Sequence, residues 1–250
     1  MTRRVQTPVR RLAFVGVTVV STLSALVAST TAATPATSDD TAAERRVVAQ
    51  PRETMVVIGD SYSSYYGDRH SPYPGWWATL ATDLALDPVV DATGGTGFLM
   101  RNSDCAQTRF RARMDTIRQA DPRLLLVEGG RNDWRRCDAN GVPVESTRTQ
   151  IEAAANEYFA ELAVVWDQLG RPRSDVYVVS PWGTSKPRKA RVIRPIIEAA
   201  AEAHGFTYVP TRPLTLAQAP DGVHPNNEGS RFLRDQILAN SDLLDRFSRI

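Results

Sequence analysis

Histidine occurs three times in the 250 residues and cysteine twice. No cluster of the two has the spacing of a metal site, so the chain carries no metal signature. A surplus of one charge is also missing: 30 Lys and Arg stand against 28 Asp and Glu. The total therefore gives no reason to expect nucleic acid, and no basic block is interleaved with aromatics as single-strand binders require. Gly94-Gly95-Thr96-Gly97 lacks the G-x-G-x-x-G register of a dinucleotide site. No segment repeats, no hairpin signal stands out, and the longest uncharged apolar stretch, Leu12 to Ala28, has seventeen residues. That is at the short edge for a membrane span of about 20.

What is present begins with a tripartite leader. Arg3, Arg4, Arg10 and Arg11 form a positive region, the apolar stretch follows, and Ala28 to Ala33 supplies small residues for cleavage. Residues 1–33 read as a signal peptide, with an uncleaved anchor as the alternative; Arg10-Arg11 is a weak twin-arginine match. Without the leader 26 bases face 28 acids, a net charge of about −2. Residues 34–52 are rich in Ala, Thr, Pro and Asp without apolar period and read as a disordered tether. Residues 53–250 suit one domain. The expected location is secreted or associated with the cell envelope, with the membrane reached only through that anchor. In an exported chain Cys105 and Cys137 are expected to pair.

The domain alternates strands and helices. Met55 to Ile58, Pro88 to Ala92, Arg123 to Glu128, Val176 to Val179 and Thr207 to Val209 read as strands. Helical spacing recurs from Trp76 to Leu84, over 146–169 up to Gly170, over 188–204 up to Gly205, and after Asn226. Five such alternations predict right-handed crossovers, a five-stranded parallel sheet and a three-layer α/β/α sandwich.

Chemistry gathers at the strand ends. Ser61 follows the first strand, Gly95 the second and Asn132 the third, while Asp221 and His224 precede the last helix. A serine nucleophile needs a base, a group that fixes the base's tautomer, and donors for the oxyanion. His224 supplies the first, Asp221 the second; the Ser61 N–H, the Gly95 N–H and the Asn132 amide supply the third. Alone, Gly59-Asp60-Ser61 is an ordinary turn in which Ser61 caps a helix.

Ile58-Gly59-Asp60-Ser61, Gly94-Gly95-Thr96-Gly97, Gly129-Gly130-Arg131-Asn132-Asp133 and Asp221-Gly222-Val223-His224-Pro225-Asn226 together resemble the four blocks of the SGNH, or GDSL-type, hydrolases. The resemblance implies a flavodoxin-like fold, carboxylic ester hydrolysis, and no metal or organic cofactor. It also implies Ser61 as nucleophile, His224 as base, Asp221 as its partner, and Gly95 and Asn132 as oxyanion donors. Tyr62 stands where the family's name has leucine, and the adjacent Gly94 leaves the glycine donor open. In the flavodoxin-like order the loops carrying Cys105 and Cys137 both border Ser61.

Other residues have plainer readings. Asp60 is expected to hold its turn through backbone N–H groups. His70 reads as solvated, and His204 as a helix-end residue. Trp76 and Trp77 read as core, Trp134 and Trp182 as walls of a substrate pocket. Arg131, Lys186, Arg188 and Lys189 suit an anionic substrate or a solvated face equally. The substrate is expected to be a small-molecule or polysaccharide ester, acyl lipid or acetylated carbohydrate, and the chain a monomer. A catalytically silent binding module on the same fold is the rival.

Overall fold

The computed structural model describes residues 52–64 and 75–247. The leader, residues 34–51 of the tether, and His70 lie outside them.

The first strand, β1 (Thr54–Gly59), runs into a one-turn helix, α1 (Ser61–Ser64). Next come α2 (Trp76–Asp83), β2 (Asp87–Ala92), α3 (Met114–Ala120) and β3 (Leu124–Glu128). The strands β4 (Arg135–Cys137) and β5 (Pro143–Glu145) precede α4 (Arg148–Gln168). The chain ends with β6 (Val176–Val179), α5 (Pro187–Ala203), β7 (Thr207–Val209), α6 (Asn227–Ala239) and α7 (Leu243–Phe247).

Five strands form one parallel sheet in the order β2-β1-β3-β6-β7, the expected sandwich in flavodoxin-like order. Val57 faces Val90 on one side and Leu126 on the other, and Leu126 faces Tyr177. Alternate residues point to opposite faces of a strand. Val56, Ile58, Leu125, Val127, Val176 and Val178 accordingly pack with α3, α4 and α5. Met55, Val57, Leu124, Leu126, Tyr177 and Val179 pack with α2, α6 and α7. Both faces are covered, so these strands are uniformly apolar. The edge strand β2 begins exposed and carries Pro88, which an edge tolerates.

Helix ends follow local chemistry. Thr147 and Gln150 form a reciprocal capping box on α4. Asn226 caps α6 by accepting the Gly229 N–H at 2.9 Å. One element departs from the expectation: β4 and β5 make a small antiparallel hairpin. Asp138 Oδ1 accepts the N–H groups of Asn140 and Val142 in its turn, and Gly141 takes φ +74°. The Asn140-Gly141 pair was the available signal; three-residue strands of Arg-Arg-Cys and Pro-Val-Glu offered no apolar alternation to accompany it.

The order reverses at β1, and in such sheets ligands bind beyond the carboxyl ends of the strands at the reversal. The candidate residues fall at that edge.

Candidate active site

The turn after β1 is built around absent side chains and buried acids. A Cβ on Gly59 would stand 2.5 Å from Ser63 Oγ and 2.9 Å from Glu128 Oε2. Glycine is therefore required for the turn to close. Asp60 Oδ1 accepts the Tyr62 N–H at 2.9 Å, the turn-holding role expected of it. The indole N–H groups of Trp76 and Trp77 donate to the carbonyls of Tyr62 and Ser63 at 3.1 and 3.0 Å. Trp76 is fully buried and Trp77 half-buried, so these residues do more than fill the core: they fasten α1 to α2.

Ser61, 6% exposed, presents its hydroxyl at the sheet edge. Its Oγ is 3.1 Å from His224 Nε2, and His224 Nδ1 is 2.7 Å from Asp221 Oδ2. The other Asp221 oxygen accepts the N–H groups of Val223 and His224, each at 2.7 Å. Gly222, at φ +73°, allows the loop to curl around this carboxylate. Partial burial works against the Asp221 charge, but the Val223 and His224 N–H bonds and the imidazole outweigh it and hold the carboxyl below its ordinary pKa. An ionised Asp221 keeps the imidazole proton on Nδ1 and leaves Nε2 free to accept from Ser61.

The three expected oxyanion donors sit differently. Neither the Ser61 N–H nor the Gly95 N–H bonds to a partner among the described residues. Gly95 takes φ +77°, and a Cβ there would lie 3.3 Å from Asn102; Gly94 does not take a positive φ. Asn132 Nδ2 donates to Asp60 Oδ2 and to the Thr96 carbonyl, both at 2.9 Å. Both of its hydrogens are thus occupied at rest, and donation to an oxyanion requires sharing one of these bonds.

A family model for the GDSL-like lipase/acylhydrolase family matches residues 57–232. The chain belongs to that family. It is a family of carboxylic ester hydrolases, and a GDSL lipase of Mycobacterium tuberculosis is 26% identical over 198 residues, 73% of this chain and 79% of the relative. Among solved structures, the aryl esterase of M. smegmatis superimposes with a TM-score of 0.55 at 15% identity, covering 76% of this chain and all of the other. A family two carbohydrate esterase from Clostridium thermocellum gives 0.55 at 14%, covering 80% of this chain and 66% of its own. A carbohydrate acetylesterase of Sinorhizobium meliloti gives 0.52 at 15%, covering 75% and 99%. These structural likenesses show the shared fold.

In this GDSL-like hydrolase the remaining site residues support the loops. Cys105 and Cys137 form a disulfide, Cα–Cα 5.9 Å, joining the segment after Gly95 to the hairpin after Asn132. Trp182 is buried against the Arg131 guanidinium, 5.1 Å from the ring centroid, and backs a cavity of about 720 Å³ with Gly183, Thr184 and Pro187. Trp134 is half-buried beneath Arg135, Lys186 and Lys189. His204 caps the carboxyl end of α5. Among the described residues no three of His, Cys, Asp and Glu converge as a metal site.

Three structural residues escaped the sequence reading. Glu128, fully buried at the end of β3, accepts the Asp60 N–H at 3.2 Å and the Ser63 hydroxyl at 2.8 Å. Its burial, and then the facing Asp60, push the Glu128 carboxyl well above the usual range. Burial likewise pushes Asp60 up to about 6, against the pull of the Tyr62 N–H and Arg131. A protonated Glu128 donating to an ionised Asp60 accommodates the pair. Arg113, 4% exposed, donates to the Gly59 carbonyl at 2.6 Å, the Asp91 carbonyl at 3.0 Å and Thr96 Oγ1 at 2.7 Å, bracing the ends of β1 and β2. Asp133 accepts the N–H groups of Phe98, Leu99 and Met100 at 3.1, 2.8 and 2.9 Å, anchoring the loop after Gly95. Burial pushes its carboxyl up to about 6 despite those bonds. An acid ending the most apolar strand was a visible signal for Glu128; nothing local marked Arg113.

Proposed function

We propose that this hydrolase is an exported serine esterase in which Ser61, His224 and Asp221 act as a catalytic triad. The observation that carries the reading is the continuous chain Ser61 Oγ–His224 Nε2 at 3.1 Å and His224 Nδ1–Asp221 Oδ2 at 2.7 Å. Ser61 attacks the ester carbonyl while His224 takes its proton, with Asp221 stabilising the imidazolium. The oxyanion is met by the Ser61 and Gly95 N–H groups, joined by Asn132 as it loosens from Asp60 or Thr96. His224 then protonates the departing alcohol. Water, deprotonated by His224, releases the acid from Ser61.

The leader of residues 1–33 supports export, and the Cys105–Cys137 disulfide fits an oxidising compartment. A signal peptide or an uncleaved anchor remains the choice at the N-terminus, and amino-terminal sequencing of protein recovered from culture fluid and membranes separates them. Relatives named as a lipase and as carbohydrate esterases support an ester on either an acyl lipid or a carbohydrate.

Hydrolysis of p-nitrophenyl esters of increasing chain length tests the reading. Wild type is expected to cleave at least the acetate, and Ser61→Ala or His224→Ala to lose about 10⁴-fold or more in kcat. An inert wild type would sink the esterase reading in favour of a silent binding module; a Ser61→Ala variant with undiminished rate would remove Ser61 as nucleophile.

A further inference from the structure

A group of cations borders the site without a carboxylate partner among the described residues, while other arginines of the domain are paired. Arg111, Arg118, Arg148, Arg173 and Arg246 each meet a carboxylate. Lys186, Arg188 and Arg191 are exposed, and neither they nor Arg135 form an ion pair among the described residues. The stretch 180–197 contains Lys186, Arg188, Lys189, Arg191 and Arg194 and no acid; among the described residues Lys189 alone of these forms an ion pair, with Glu145, and Arg194 donates to the Thr211 carbonyl. This local surplus sits on a domain whose net charge is about −2 once the leader is set aside.

Its position is tied to the reacting groups. Lys186 Nζ stands 4.0 Å from the Trp134 ring centroid and the Arg135 guanidinium 5.0 Å; Trp134 is two residues beyond Asn132. On the other side, the Ser185 N–H donates to the Gly222 carbonyl at 3.0 Å, inside the Asp221–His224 loop. Arg131 adds buried charge at the root of the same segment, donating to Ser185 Oγ at 2.6 Å. Through Ser185 the segment that carries these cations packs against the Asp221–His224 loop, the side on which the leaving alcohol takes its proton. A cavity of about 720 Å³ lies along the same segment, lined by Thr184, Pro187, Arg191 and Arg194, with Glu198 also on its wall and Lys186 and Arg188 outside its lining. That volume accommodates a sugar unit.

We propose that the alcohol part of the substrate is an acidic polysaccharide, whose carboxylates or phosphates are held by Lys186, Arg188 and Arg191. The inference rests on the esterase reading above. In the reaction the acyl carbon–sugar oxygen bond breaks, water's oxygen joins the acyl carbon, and the sugar oxygen leaves with a proton from His224. A lipid surface fits less well. Among the described residues the exposed large apolar side chains Val89, Val142, Val164, Val192, Leu216 and Leu244 are scattered over separate segments, whereas interfacial binding needs a contiguous apolar patch.

The test compares kcat/KM for acetate release from acetylated polygalacturonate and from acetylated xylan, at about 50 and about 500 mM salt. Wild type is expected to favour the acidic polymer about tenfold or more at low salt, with the ratio shrinking at high salt. The triple substitution Lys186→Gln, Arg188→Gln, Arg191→Gln is expected to bring the low-salt ratio to within about threefold of unity, through KM. A wild-type ratio near one, or a ratio that survives the triple substitution, overturns the proposal. Binding to phosphatidylglycerol vesicles that the triple substitution abolishes, without any polymer preference, also overturns it and assigns the cations to a lipid surface. Failure to cleave any ester sinks the esterase reading separately. Calorimetric titration of the full-length Ser61→Ala protein then judges the cations alone: tighter binding of polygalacturonate than of xylan, lost in the triple background, supports the polyanion, and equal or absent binding refutes it.

Discussion

Replacing Glu128 by alanine deprives two buried donors of their acceptor at once, the Asp60 N–H and the Ser63 hydroxyl. Each orphaned buried donor costs about 1–3 kcal/mol, so Glu128→Ala is expected to lose about 2–6 kcal/mol before any contribution from the cavity. Against a usual domain stability of about 5–15 kcal/mol, that is a large share. Glu128→Gln retains an acceptor for both donors and an N–H to offer Asp60, and is expected to cost less than about 1 kcal/mol. Urea unfolding at neutral pH, read as the shift in midpoint at constant slope, measures both. The pH dependence adds a second check. Both carboxyls are raised, Asp60 to about 6 and Glu128 well above its usual range. Stability linked to a raised acid is fully present below its unfolded pKa and is lost as pH rises through the folded one. The pair should therefore weaken the fold from about pH 4 upward, by about 1.4 kcal/mol for each tenfold gain in proton affinity on folding. Glu128→Gln removes the more alkaline part of that loss, so its stability should fall less than wild type above neutrality. An alanine variant as stable as the glutamine one, or parallel pH profiles, would refute the shared-proton arrangement under Ser61.

Other perturbations probe the loops around Ser61. In Gly97→Ala the new Cβ would stand 2.8 Å from the Asp133 carboxyl carbon; the variant is expected to lose activity and about 2 kcal/mol or more on urea melts, and wild-type behaviour would contradict the packing. Replacing Cys105 and Cys137 by serine opens a loop with a sequence separation of 32, expected to cost about 3–4 kcal/mol of unfolding free energy; an unchanged midpoint would show that the bridge constrains little. Arg113→Met leaves the Asp91 carbonyl and Thr96 Oγ1 without the guanidinium. A loss of about 2–3 kcal/mol with a fall in kcat is expected, and a stable, fully active variant would remove Arg113 as a brace.

How much of this was legible depended on whether the signal was local. The strand of Met55 to Ile58 ends at Gly59, where no Cβ fits, and that pattern of apolar run and glycine is written within six residues. The same holds for Gly95 at φ +77° and for Asp221 and His224, whose three-residue spacing lets one loop set both. The disulfide followed from an even cysteine pair in a chain whose leader reads as an export signal. Arg113 was illegible because two of its partners are carbonyls 22 and 54 residues away in sequence, and a carbonyl leaves no trace in the residue type. The Glu128–Asp60 contact spans 68 residues and depends on β3 lying beside β1. The hairpin was missed because its strands are too short and polar to alternate, so the Asn140-Gly141 turn stood without support. Asn132 was picked out by type as a candidate donor, but its commitment to Asp60 and Thr96 at rest exists only once β1, β3 and the loop after Gly95 are brought together.

The central claim, that Ser61 is the nucleophile activated by His224, is tested most directly by reaction of the full-length protein with a fluorophosphonate, followed by peptide mass spectrometry. One adduct per chain is expected on the peptide containing Ser61, formed slowly in His224→Ala and absent from Ser61→Ala. An unlabelled wild type, or a Ser61→Ala protein that labels as readily, would contradict it.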